Sequence, residues 1–355
     1  SSPVPAPSLH EANPTITKSI KMVFLPSMSV PFSYKDVFEV KEQQFNDLVL
    51  DIFRWQADHI VIYKRFLDAL SIAPNSIQHF SYIPFLPIEA FKTHRVIAPE
   101  TTPVGYFESS STTGLNTSKH HYDDIKWYHE AILRGFEHRY GDPSEYCFLG
   151  LLPGYLERQN ASLIHMVKLL MDKSKYDASG FYLNEHKKLQ QQLEQNAKNN
   201  VPTVLFGVTF ALLDFARDYI VDFSDLIVLE TGGMKGRGKE ITRADLHNTL
   251  SQSFVGAKIQ SEYGMTELFS QAYMDEEGLF RCPPWMRISL SSTDDPFAPV
   301  STDKTGLINV IDLANVESCC FIATSDLGRM YEGDRFEVLG RFDHSEQRGC
   351  NLMVV

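Results

Sequence analysis

The hydrophobic positions change period along the chain, and the changes mark out its elements. Between Tyr34 and Leu70, the residues Phe45, Leu48, Val49, Ile52, Ile60, Tyr63, Phe66, Leu67 and Leu70 recur at helical spacing, with no glycine or proline among them. That spacing predicts one long helix or two broken ones with an apolar stripe. Ile83-Pro84-Phe85-Leu86-Pro87 then interrupts helix, because each proline pushes the residue before it out of α geometry. Further on, short apolar runs alternate with helical stretches. Strands are predicted at Cys147–Leu152, Thr203–Gly207, Leu226–Glu230 and Ala257–Gln260. Helices are predicted over Ala161–Met171, Glu185–Lys198, the stretch up to about Tyr219, and Arg243–Ser253. Such alternation implies an α/β fold, a mainly parallel sheet wrapped by helices. From Leu290 onward, strands at Gly306–Leu313, Cys319–Thr324 and Arg335–Leu339 follow without long helices between them, which predicts a β-rich subdomain. The expected organisation is a loosely ordered tail over 1–34, an α/β core over 35–289, a β-rich subdomain of the same unit over 290–343, and a C-terminal tail over 344–355.

Composition narrows the function classes. With 355 residues, 43% hydrophobic and 12% aromatic, the chain is too apolar to be disordered over most of its length. Its size suits two domains or one large one. Lys+Arg 33 against Asp+Glu 45 leaves a net charge of −12, which argues against a dedicated binder of nucleic acid or anionic membrane. A local cationic pocket for phosphate stays compatible with it. No apolar stretch reaches the ~20 residues that span a bilayer, so no membrane span is expected. Ser1 to Pro14 lacks the basic-then-apolar order of a signal peptide. Five cysteines, Cys147, Cys282, Cys319, Cys320 and Cys350, are too few and too irregular for a disulfide framework, and none forms a C-x-x-C pair. A reducing, cytoplasmic setting is expected.

Chemistry has several candidate seats. Ser109, Ser110, Ser111, Thr112, Thr113 and Gly114, followed by Lys119, offer hydroxyls, backbone N–H groups and a positive charge to an anion. The alternative is a surface turn, and the Walker A spacing is missing. Gly232 and Gly233 open a Gly-rich loop carrying Lys235, Arg237 and Lys239, either a solvated loop or a phosphate clamp. Ser261-Glu262-Tyr263-Gly264-Met265-Thr266-Glu267 follows a predicted strand. Its aromatic suits a nucleotide base, its hydroxyl a phosphate and its carboxylate Mg²⁺. A helix N-cap at Thr266 is the competing reading. Thr324-Ser325-Asp326-Leu327-Gly328 and Gly340-Arg341-Phe342-Asp343 read individually as β-turns. Cys350 lies near the end of the chain, two residues from Arg348, which lowers a thiol pKa; the alternative is an incidental cysteine. His120, His121, Asp123, Asp124 and His129 have the residue types of a metal site, yet the two aspartates begin a predicted helix, where acidic residues are favoured anyway.

Taken together and in order, these pieces resemble the adenylate-forming enzymes. The stretch from Ser109 to Lys119 resembles their phosphate loop, and Tyr263–Glu267 their adenine-stacking, phosphate and magnesium motif. Thr324-Ser325-Asp326 is similar to the motif whose aspartate binds the ribose, and Gly340–Asp343 to the hinge motif. Within that superfamily the chain resembles the acyl-protein synthetases (LuxE type), on Ile83–His94, Glu230–Gly236, Gln260–Tyr273, Pro284–Arg287 and Arg348–Met353. The resemblance implies a large N-terminal domain of the adenylate-forming fold, with the usual small C-terminal domain reduced to a short tail. It implies ATP and Mg²⁺, with Glu267 as metal ligand, Thr266 as a catalytic hydroxyl, and Glu262, Tyr263, Gly264, Met265, Asp326 and Arg341 around the nucleotide. A long-chain fatty acid is then activated to acyl-AMP, carried as a thioester on Cys350 and handed to an acyl reductase. An acyl-CoA ligase without a protein acceptor, or a non-catalytic scaffold that binds a reductase, are the alternatives. Departures exist: Ser111 replaces a usual glycine, and Lys119 stands two residues later than the common spacing. Cys350 lies seven residues beyond Asp343, a stretch that reaches about 25 Å at full extension.

Overall fold

The periodic stretch after Tyr34 folds, in the computed structural model, as three helices, Tyr34–Phe38, Glu42–His59 and Val61–Ala69. The model describes residues 30–98, 103–109, 117–153, 160–232 and 241–342. The break between the second and third helix is Ile60, whose φ −92° and ψ 99° place it in extended geometry. Phe45, Val49, Ile52 and Phe53 form the buried stripe. One polar residue joins it: Gln56 Nε2 donates to Asn315 O at 3.1 Å and Val316 O at 3.0 Å, and its Oε1 accepts from Cys320 N at 3.0 Å. The helix is thereby bolted to the β-rich end of the chain.

The four predicted parallel strands, joined by Gly180–Phe181, which the sequence did not mark, form one side of the main sheet. Gly180–Phe181, Cys147–Leu151, Thr203–Val208, Leu226–Thr231 and Lys258–Tyr263 lie side by side, every adjacent pair parallel. All residues of Thr203–Val208 and Leu226–Thr231 are buried, the mark of a sheet covered on both faces. The sheet does not stop there. Beyond Lys258–Tyr263 it continues antiparallel through Ala272–Met274, Phe280–Arg281, Arg335–Arg341, Phe321–Tyr331, Thr305–Asp312 and Met286–Ser291. Leu86–Pro87 adds a twelfth strand beside Phe321–Tyr331. The parallel sheet and the β-rich end are thus one continuous sheet in this α/β fold.

Three local expectations change. Thr324–Gly328 is not a turn but the middle of Phe321–Tyr331, because strands on both sides supply its hydrogen bonds. Lys258–Tyr263 runs past Gln260 for the same reason, carrying Glu262 and Tyr263 inside the sheet. Gly105–Glu108 and Lys119–Tyr122 form a hairpin that hydrophobic alternation did not reveal. No described helix is long and apolar enough to cross a membrane. Most of the expected tail over 1–34, and all of the C-terminal tail over 344–355, lie outside the described residues.

Glu317 gives the fold a proton-linked element. It is 8% exposed and accepts the backbone N–H groups of Asp123 and Asp124, both at 3.0 Å. Those bonds favour the ionised form, but burial dominates and pushes the carboxyl up to about 7 from 4.5, with Asp123 and Asp124 adding repulsion. The folded state therefore holds a proton that the unfolded chain has released. Its contribution to stability is complete below about 4.5 and is lost as pH rises through about 7. In urea unfolding at a series of pH values, Glu317→Gln is expected to flatten the decline over that window. A slope identical to wild type would assign the proton elsewhere.

Candidate active site

Neighbouring parallel strands deliver their carboxyl ends to one edge of the sheet, where ligands of α/β proteins sit. Leu226–Thr231 runs into Gly232, and Lys258–Tyr263 ends at the Tyr263–Gly264 corner. The Tyr263 ring packs beside Phe336 at 5.6 Å and Phe280 at 6.0 Å, and its hydroxyl donates to Asp326 Oδ2 at 3.0 Å. Asp326 arrives from the antiparallel half, its backbone N–H held by Thr324 Oγ1 at 3.1 Å. Arg341 faces it in register, with Nε 3.6 Å from Asp326 Oδ1. Burial raises the Asp326 pKa, and Arg341 and the Tyr263 hydroxyl act against that rise. The Arg341 side chain is 85% exposed, so the pair is screened by solvent and contributes little to stability. Three residues far apart in sequence, Tyr263, Asp326 and Arg341, therefore meet at one point.

Thr266 does not cap a helix; none follows it. The loop after Gly264 is clamped instead by buried side chains. Thr266 O accepts from His120 Nδ1 at 3.0 Å and Glu267 O from Asn315 Nδ2 at 2.8 Å. Phe269 N donates to Asp312 Oδ2 at 2.9 Å and Asn315 Oδ1 at 3.1 Å. Ser270 donates to Asp312 through N at 2.8 Å and Oγ at 2.6 Å. Burial pushes His120 down to about 3, so it is neutral, with Nε2 accepting from Ser318 Oγ at 2.7 Å. Sequence reading placed none of Asp312, Asn315 and Ser318 in the site. A lone acid inside the apolar run Ile308–Leu313 was the signal available for Asp312.

On this clamped loop the Glu267 carboxylate is 5% exposed. Burial raises its pKa, a hydrogen bond from Ser118 opposes the rise, and Arg341 and Lys92 contribute from further away. A carboxylate kept from water in this way fits a divalent cation. Among the described residues no group of three or more His, Cys, Asp or Glu could hold a metal, so a cation at Glu267 would take its other oxygens from phosphate and water. Two histidines of the cluster considered above are otherwise engaged. His120 belongs to the clamp, and His129 Nε2 lies 2.7 Å from His165 Nε2.

The serine-rich loop starts from the same place. Ser109 N donates to Ser118 O at 3.0 Å, and Ser118 N to Ser109 Oγ at 2.9 Å, closing its base. Ser110, Ser111, Thr112, Thr113 and Gly114 lie outside the described residues, as do Gly233, Asp343 and Cys350. Lys119 points along its hairpin, 3.9 Å from Glu108 Oε1 and 4.8 Å from the Tyr106 ring centre. Gly232 has φ +72°, and its carbonyl accepts from Thr209 Oγ1 at 2.7 Å. Glu262 turns to the opposite face from Tyr263, where Thr231 Oγ1 donates to its Oε2 at 2.5 Å. Gly264 lets the Glu262 side chain lie close: a Cβ there would be 2.4 Å from Glu262 Oε1, so the carboxylate would have to shift. Met265 is partly buried against the core.

A family model described as acyl-protein synthetase, LuxE, matches residues 11–355. The long-chain-fatty-acid–luciferin-component ligase of Vibrio harveyi is 27% identical over 142 residues, a match that spans 37% of this chain and only 37% of that relative. Among solved structures, 2-hydroxyisobutyryl-CoA ligase with bound 2-HIB-AMP in the postadenylation state superposes with a TM-score of 0.62 at 12% identity. The match covers 90% of this chain and 72% of that one. The same ligase with 2-HIB-AMP and CoA gives 0.62 at 13% identity, over 87% of this chain and 70% of that one. At such identities the likeness is one of fold, that of the adenylate-forming ligases.

Proposed function

The chain belongs to the acyl-protein synthetase (LuxE) family, and from that premise we propose that it activates a long-chain fatty acid with ATP and transfers the acyl group to its own Cys350, for collection by an acyl reductase in the cytoplasm. The observation that carries this reading is the meeting of Tyr263, Asp326 and Arg341 at the carboxyl ends of the parallel strands, with the buried Glu267 on the clamped loop beside Ser118.

In the first half-reaction a carboxylate oxygen of the acid attacks the α-phosphorus of ATP. An O–P bond forms, the bond to the β-phosphate bridge breaks, and pyrophosphate leaves. Negative charge builds on the phosphate oxygens, so the most effective catalysis comes from donors already fixed in place. Thr266 and Ser109 are such donors, and the sequence from Ser110 to Gly114 offers further hydroxyls and N–H groups. Asp326 accepts from the ribose hydroxyls, Tyr263 bears the face of the base, and Arg341 swings from Asp326 towards phosphate. Glu267 would hold Mg²⁺, which when bound would further neutralise charge on phosphate oxygens. In the second half-reaction the Cys350 thiolate attacks the acyl carbon; the C–S bond forms, the C–O bond of the mixed anhydride breaks, and AMP leaves.

The printed name of the Vibrio harveyi relative supports a fatty acid as the substrate class. The test is acid-dependent exchange of pyrophosphate into ATP, run beside radiolabelling of the protein by fatty acid. Exchange together with a covalent label is expected. Exchange with no label would leave an acyl ligase without a protein acceptor, and no exchange with any acid would sink the adenylation reading and favour a scaffold.

A further inference from the structure

Behind the Tyr263–Gly264 corner lies a wall of buried polar side chains that the described residues do not fully satisfy. Glu262 pairs with Tyr273 in antiparallel register, which puts their side chains on one face of the sheet. Gln271 stands beside them: a Cβ on Gly264 would touch both Glu262 Oε1, at 2.4 Å, and Gln271 Cγ, at 3.4 Å. Gln271 is 4% exposed and Tyr273 2%. Gln271 spends its Nε2 on Phe269 O at 2.9 Å, but its Oε1 has no hydrogen-bond partner, and neither has the Tyr273 hydroxyl.

The neighbouring polar groups are already engaged. Tyr140 packs edge-on against Tyr273 at 5.3 Å and gives its hydroxyl to Gln260 Oε1 at 2.9 Å. Tyr128 gives its own to Ser162 O at 3.0 Å, and Thr231 serves Glu262 Oε2. Buried polar groups are nearly always paired, and an unpaired one is costly. An unmet acceptor and an unmet hydroxyl on one wall therefore point to a partner beyond the described residues, a place that a bound substrate can fill. The wall adjoins the Tyr263–Gly264 corner on the face opposite the Tyr263 side chain, which the proposed reaction gives to the base; that face is left for the acid, with its carboxyl end nearest the corner.

We propose that Glu262, Gln271 and Tyr273 form a polar subsite that reads a hydrogen-bonding substituent close to the carboxyl group of the acid. This deepens the adenylation reading and rests on it. A hydroxyl suits the wall best, because it donates to Gln271 Oε1 while accepting from the Tyr273 hydroxyl. An amino group is the other chemistry that donates to Gln271, and it draws on Glu262 as its counter-charge. An unsubstituted alkyl chain leaves both atoms unmet, and sites built to bond a hydroxyl discriminate strongly against analogues without one.

The experiment is acid-dependent pyrophosphate exchange by the full-length protein with tetradecanoic acid, its 2-hydroxy and 3-hydroxy derivatives and 3-aminotetradecanoic acid. One hydroxy acid is expected to exceed the plain acid in kcat/KM by roughly 100-fold. Tyr273→Phe and Gln271→Leu are each expected to shrink that ratio, a readout that loss of folded enzyme does not move because it scales both rates alike. A preference for the amino acid that Glu262→Gln abolishes would assign the subsite to an amine instead. Equal or better use of plain tetradecanoic acid overturns the subsite and hands the two atoms to ordered water, with adenylation intact. Exchange with none of the acids overturns adenylation and the subsite together.

Discussion

Cys350→Ala is expected to keep acid-dependent pyrophosphate exchange and to lose every trace of hydroxylamine-labile acyl label on a denaturing gel. The completeness of the loss follows from the other thiols. Only the thiolate is a good nucleophile, and burial in apolar surroundings suppresses it. Cys147, Cys319 and Cys320 are fully buried. Burial raises all three thiols, Cys319 to about 12 and Cys320 well above its usual value. Cys282 is partly exposed as a residue, yet its thiol is pushed up by burial too. None of these four is in the state that attacks a mixed anhydride at neutral pH. Exchange is retained because it needs only the first half-reaction. Label that persists in the variant would overturn transfer to Cys350, wherever else the acyl group had gone.

Glu267→Gln is expected to lower exchange on the order of 10²-fold, the scale of losing one fixed electrostatic partner of the developing phosphate charge. The Mg²⁺ concentration needed for half-maximal rate should rise with it. The fold should survive. Glutamine matches glutamate in shape, and burial already disfavours charge at this position, so the neutral side chain is tolerated. Its backbone is held independently by Asn315 and by the bonds of Asp312 to Phe269 and Ser270. Thermal unfolding and circular dichroism check that premise. Unchanged exchange in a folded variant would move the metal role to another residue.

The sequence made Cys147–Leu151, Thr203–Val208 and Leu226–Thr231 legible because each is a short apolar run followed further on by a helical stretch. It made Tyr263–Glu267 legible as chemistry because an aromatic, a glycine, a hydroxyl and a carboxylate stand together at a strand end. What local reading lost were features set by distant partners. Thr324–Gly328 has the composition of a turn, and two flanking strands override it. Lys119–Tyr122 carries a lysine, two histidines and a tyrosine, with no apolar alternation to mark a strand. His120 looked like a candidate metal ligand in sequence, and only the fold brings Thr266 O and Ser318 Oγ to its two nitrogens. A clamp assembled from three segments leaves no spacing to read.

The strand that delivers Arg341 is also the last described one, and Phe342 N is still fastened to Ser325 O at 2.8 Å. The chain that leads on to Cys350 therefore sets out from beside Asp326, at the edge of the proposed nucleotide site, rather than from a remote surface. A thiol on so short a tether has an effective concentration in the millimolar range or above at any point its tether lets it reach. A free thiol in solution must reach a comparable concentration to intercept the acyl group, so under the proposed transfer the short tether by itself favours Cys350 over outside acceptors.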